Sequence, residues 1–137
     1  LSTRETVGTE TPAASAMAAM VVLGADEAQR ARAERAVRGQ IAFYASTPSY
    51  RPVLDVHGWG DLADRLNVLS RRQDWAAMAA EITDDVLDAF AVAGDPATVA
   101  AGLTARFGTT IDRISLYTPY DADRYQLAAV RSALRAG

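Results

Sequence analysis

An α/β fold, mostly helical, with two parallel strand candidates at about 18–23 and 112–118, follows from three observations. Ala18–Leu23 is a short, unbroken apolar run, the pattern of a strand buried on both faces as in parallel sheets. Asp112–Thr118 alternates Ile114 and Leu116 with Arg113, Ser115 and Tyr117, the period-two pattern of a strand. Most of the remaining chain carries apolar residues at helical spacing, and a capped helix follows each strand candidate. With 137 residues, 50% hydrophobic and 23% charged, one globular domain with a real core is expected.

Residues 1–15, rich in Thr, Glu and Ser with one Pro, predict a mobile lead-in, and 16–137 a single domain. After the first strand and Gly24, Asp26 stands where an N-cap belongs, and Glu27 suits the positive end of a helix dipole. That helix is expected from Glu27 to about Ala45, with Val37, Ile41 and Tyr44 on one face and Glu34 paired to Arg38. Pro48 ends it, because the residue before a proline is pushed out of the α region. From about 49 to 94 a broken helical insert is predicted. One stripe is Leu62, Leu66 and Leu69 after Asp61 as cap; a second is Trp75, Met78, Ala79 and Ile82 after Asp74; a third is Val86, Leu87 and Phe90 after Thr83. Gly94-Asp95-Pro96 is the sharpest local signal: Asp95 caps, Pro96 fits the first helical position, and Val99, Leu103 and Phe107 form a stripe that Gly108 stops. Past the second strand, Pro119 breaks the chain, Asp121 is the expected cap, and Leu127, Val130 and Leu134 mark a final helix.

Composition excludes several function classes. A net charge of −3 argues against a nucleic-acid binder, which needs a basic face for phosphates. All 14 basic residues are Arg, which reads as the codon usage of a GC-rich genome. The absence of Cys removes disulfides, thiolate nucleophiles and Cys-type metal sites, and fits a cytoplasmic protein. No stretch reaches the about eighteen apolar residues of a membrane span. Asp84, Asp85 and Asp88 lie in a first helical turn and read as dipole complementation, so no metal site is expected.

Three segments then carry a family resemblance. The run Gln40 to Leu54 (QIAFYASTPSYRPVL), with His57-Gly58-Trp59-Gly60, resembles the late segment of luciferase-like oxidoreductases that use the deazaflavin coenzyme F-420. Phe90-Ala91-Val92-Ala93-Gly94-Asp95-Pro96 followed by Val99-Ala100 is similar to a helix start widespread in that superfamily. Asp112 to Tyr120 (DRISLYTPY) resembles its last barrel strand. The resemblance runs from about Met20 onward and implies the C-terminal part of a (β/α)8 barrel of the TIM type. The two strand candidates would be the seventh and eighth, with the first six supplied upstream.

The resemblance implies cofactor-dependent hydride transfer with an organic small molecule as substrate. It also implies a deazaflavin (coenzyme F-420) or FMN in the full-length protein, none being bound by this piece alone. Tyr117, on the strand face opposite Ile114 and Leu116, is a candidate to line the pocket; a core ring with a satisfied hydroxyl is the alternative. Tyr44, Ser46, Tyr50 and Arg51 gather around Pro48, where an Arg beside hydroxyls could hold an acidic cofactor tail; local helix-end capping is the other reading. Gly24 could bring backbone N–H groups to a phosphate or could serve the turn alone. His57, the single His, is read as a helix-end residue rather than a base, and Trp59 and Trp75 as core or interface anchors. A non-catalytic, helical assembly domain that self-associates is the competing reading of the chain.

Overall fold

A central strand with partners on both edges organises the chain. In a computed structural model that describes residues 16–108 and 113–136, β1 (Ala16–Val22) lies between β2 (Ala91–Ala93) and β3 (Arg113–Tyr117), all parallel. The helices are α1 (Glu27–Ala45), α2 (Arg51–Val56), α3 (Gly60–Arg71), α4 (Trp75–Ala80), α5 (Asp84–Phe90), α6 (Pro96–Phe107) and α7 (Arg124–Ala136), with a 3-10 turn at Pro48–Tyr50. The expected lead-in at 1–15 lies outside the described residues.

The unbroken apolar run in β1 is buried on both faces, as expected. Ala19, Val21 and Leu23 pack with Val99 and Leu103 of α6 and Val130 and Leu134 of α7. Val22, from the opposite face, joins Val37 and Ile41 of α1 and the apolar sides of α2 to α5, with Met20 packed against the same group. The result is three layers, helices on each side of the sheet. Ile114 is buried among the α6–α7 residues and Leu116 packs against them, so β3 alternates as its sequence predicts.

One expectation is corrected. The insert is not wholly helical: Ala91–Ala93 forms β2, paired through Met20–Ala91, Val21–Val92 and Val22–Ala93. Three residues continuing straight from a helix have no period of their own, so the stripe of α5 conceals them. The two strands expected from sequence are parallel neighbours, β3 matching β1 over five positions from Ala16 to Met20, and β2 adds three positions on the other edge of β1.

Caps bear out most helix starts. Asp26 accepts from the Gln29 N–H at 2.8 Å while Gln29 Oε1 accepts from the Ala25 N–H at 2.9 Å. Asp74, Thr83 and Asp95 cap α4, α5 and α6. Asp61 does not cap; α3 starts at Gly60 and Asp61 falls in its first turn, where its charge still suits the dipole. Asp123, not Asp121, serves the last helix, accepting from the N–H groups of Tyr125 (2.8 Å) and Gln126 (3.3 Å). The Asp121 position is two residues too early to reach them. Arg38 makes the predicted pair with Glu34 at 3.0 Å and also binds Asp84 and the Ile82 carbonyl oxygen, tying α1 to the start of α5.

Gly24 is explained by contact. A Cβ there would lie 2.5 Å from the backbone nitrogen of Arg30, so α1 could not fold back so closely on β1. Gly94 carries φ +143°, which side-chain-bearing residues rarely adopt. Tyr120 completes the sheet where β3 ends. Its hydroxyl donates to the Val21 carbonyl oxygen (2.6 Å) and accepts from the Leu23 N–H (3.0 Å), groups at and just past the end of β1, beyond its last β3 partner, Met20.

Replacing Tyr120 by Phe leaves that N–H and C=O unpaired in a half-buried place, so urea denaturation is expected to show a loss of about 1–3 kcal/mol. A loss under a few tenths would show that water replaces the hydroxyl at no cost.

Candidate functional site

The rings of Tyr44, Tyr50 and Tyr117 line one apolar cavity of about 460 Å³. It opens beside the first half of β1, where β2 has not yet begun to pair: β2 meets β1 from Met20 onward, and Ala19 lies on the cavity wall. Helix ends close the other sides, with Ile41 and Ala45 from α1, Phe90 from α5, and Arg106 and Phe107 from α6. Such a volume lies within the range of small-molecule sites, which run from about 300 to 1,000 Å³.

Each tyrosine has a structural reason for its place. Tyr44 lies in the last turn of α1, one turn beyond Ile41, on the face that the helix turns to the sheet. Pro48 reverses the chain there, and the turn it opens stacks Tyr50 on Tyr44, ring centroids 5.3 Å apart and 23° from parallel. Tyr117 ends β3 opposite Met20, on the face away from Ile114. Desolvation, reinforced by a hydrogen bond to Tyr44, raises the Tyr117 phenol above the usual tyrosine range. Burial likewise raises Tyr120, against the opposing pull of the Leu23 N–H.

The other two expected cofactor contacts lie apart from this cavity. Ser46 is buried; its hydroxyl donates to the Phe43 carbonyl oxygen at 2.6 Å, and its own carbonyl accepts from Asn67 at 3.1 Å. Arg51 pairs with Asp55 (3.1 Å) and Asp64 (2.6 Å) on the surface. Ser46 thus makes a local helix-end cap, while Arg51 joins α2 to Asp64 of α3. His57 ends α2 and stacks on Trp59 with centroids 4.5 Å apart, near Phe90. Trp59 packs against the core, whereas Trp75 is 54% exposed.

Sequence reasoning missed Phe90 and Arg106 as cavity residues. Phe90 had been assigned to a buried stripe, and Arg106 lies in the last turn of α6, where a cation is expected for the dipole alone. Arg106 donates through Nη2 to the Asp88 carbonyl oxygen and forms no ion pair among the described residues. A second hollow, lined by Leu23, Gln29, Arg32, Tyr120, Asp121 and Asp123, lies at the C-terminal ends of β1 and β3.

A family model described as luciferase-like monooxygenase matches residues 2–113. The chain belongs to the luciferase-like monooxygenase family. Uncharacterized proteins of Mycobacterium bovis and Mycobacterium tuberculosis are 50% identical to it over 95 residues. Those residues are 69% of this chain and 28% of each relative, so the match spans little more than a quarter of the curated relatives' length. No solved structure matches the chain. Membership in this luciferase-like family makes oxidoreductase chemistry the family-level expectation, and no helix among the described residues is long and apolar enough to cross a membrane.

Absorbance titration of the tyrosines is expected to show a fraction ionising above the ordinary pH of about 10. Tyr44→Phe should return part of it, and only part, because desolvation is the larger cause for Tyr117. With folded values raised, this contribution to stability is complete below about pH 10 and is lost as the pH rises through the folded values. A single uniform titration near the ordinary value would contradict it.

Proposed function

We propose that this chain forms one wall of the small-molecule chamber in a larger luciferase-like oxidoreductase of the (β/α)8 type. In that enzyme hydride passes between a deazaflavin (coenzyme F-420) or FMN and an organic substrate. The observation that carries this reading is the convergence of Tyr44, Tyr50 and Tyr117, from separate stretches of a family chain, on one apolar cavity.

The residues fit a planar ring, of cofactor or of substrate, better than a charged tail. Stacked aromatic faces and aliphatic walls suit a flat, conjugated molecule. For an acidic tail the cavity wall offers one cation among the described residues, Arg106, and Arg51 is committed to Asp55 and Asp64. When bound, the cofactor supplies the hydride chemistry, and the protein supplies binding, orientation and electrostatics. Ile41, Leu54 and Phe90 exclude water from the ring, Tyr50 holds Tyr44 by stacking, and the Tyr44–Tyr117 pair presents hydroxyls to a polar edge. Desolvation raises the Tyr117 phenol, which favours its protonated, hydrogen-donating form. The proposal further places the protein in the cytoplasm, with no nucleic-acid or membrane partner.

The alternative, a helical assembly domain, is favoured by one observation. Phe43 and Trp75 are 48% and 54% exposed with rings 6.5 Å apart, an apolar pair on the outer surface of α1 and α4. That reading predicts homo-oligomers, and a sedimentation profile dependent on concentration and abolished by Trp75→Glu would support it.

For the enzyme reading, deazaflavin and FMN titrations are the direct test. A longer protein carrying the upstream family segments is expected to bind one of them, and this chain alone to bind neither. If the longer protein binds neither, the oxidoreductase reading fails.

A further inference from the structure

The cavity described above carries a charge pattern that its family membership does not specify. Among the described residues its wall contains Arg106 and no Asp or Glu. The guanidinium uses one N–H on the Asp88 carbonyl oxygen and, among the described residues, meets no carboxylate. A planar fork of donors at the rim of an aromatic slot matches a carboxylate or similar anion, which it binds through two parallel hydrogen bonds. Across the cavity the Tyr44–Tyr117 hydroxyl pair offers neutral donors, and the rings between are apolar.

We infer that this cavity is the substrate side of the chamber and takes a small planar aromatic molecule bearing a single anionic group, with the ring beside Tyr44 and Phe107 and the anion at Arg106. The inference rests on the reading of the cavity as a small-molecule chamber. A single guanidinium suits a single charge; a multiply charged cofactor tail needs more donors than this wall carries. Arg106 is therefore a specificity-determining residue: it selects anionic over neutral aromatics of the same shape. Its position in the last turn of α6, with the guanidinium held by the Asp88 carbonyl oxygen, keeps it on the cavity wall.

The test compares two fluorescent probes with similar aromatic frames on the full chain: anilinonaphthalene sulfonate, which is anionic, and N-phenyl-naphthylamine, which is neutral. Both are expected to bind at one site. Arg106→Gln should weaken the sulfonate roughly tenfold and leave the neutral probe unchanged, since a hydrogen bond to a charged group accounts for a factor of that order. Arg106→Lys should recover part of the loss through charge alone. Ala45→Phe, which fills the cavity, should weaken both probes; should it fail to fold by near-ultraviolet circular dichroism, Tyr50→Ala, at an exposed position, takes its place. If both probes bind and Arg106→Gln affects them equally or not at all, the anionic class is overturned while the chamber stands. If neither probe binds the folded chain, the inference is overturned, while the chamber reading stands or falls with the cofactor titrations of the longer protein.

Discussion

Burial of β1 on both faces is the constraint from which the rest of the structure follows. A strand with no solvent-facing side must be apolar at every position, and its backbone groups must find partners on both edges, since an unpaired buried N–H or C=O costs as much as a lost hydrogen bond. Met20-Val21-Val22-Leu23 meets the first condition. The second is met in three ways: by β3 over the first five residues, by β2 over the last three, and by the Tyr120 hydroxyl where β3 stops. Helices then cover each face because no other element can, α1 to α5 on one side and α6 with α7 on the other.

The same constraint explains the cavity. Since β2 is short, no strand among the described residues pairs with that side of β1 before Met20, and the cavity opens beside Ala19. Large flat rings from three helix ends, a turn and β3 fill such a gap incompletely. What remains is an apolar hollow whose described wall carries three tyrosines and one guanidinium. The features that make a site here are by-products of how the sheet edge ends, which is why they come from residues far apart in sequence.

Sequence was most informative where physics is local. Caps at Asp26, Asp74, Thr83 and Asp95 were legible because a side-chain oxygen three residues before an orphan N–H needs nothing else from the fold. The central strand was legible from its unbroken apolar run. By contrast, β2 was hidden by its length, and the order of the strands depends on competing ladders that no single segment encodes. The candidate site divides in the same way. Tyr44, Tyr50 and Tyr117 could be named from a turn signal and strand alternation. Ser46 and Arg51 were drawn into the group by proximity in sequence, yet their partners at Asn67 and Asp64 lie on a later helix and could not be read from a local window.

Family membership and the local architecture meet at the position of β3. β1 and β3 are parallel neighbours, as consecutive barrel strands are, and β2 holds the other edge of β1. The central claim is therefore the order β2-β1-β3, on which both the cavity and the role of Tyr120 depend. Backbone NMR of the isotopically labelled chain tests it most directly through cross-strand proton contacts. The account predicts contacts between Met20 and Tyr117 together with contacts between Met20 and Ala91. Contacts linking Ala91–Ala93 directly to Arg113–Tyr117, with none between Met20 and Tyr117, would contradict it.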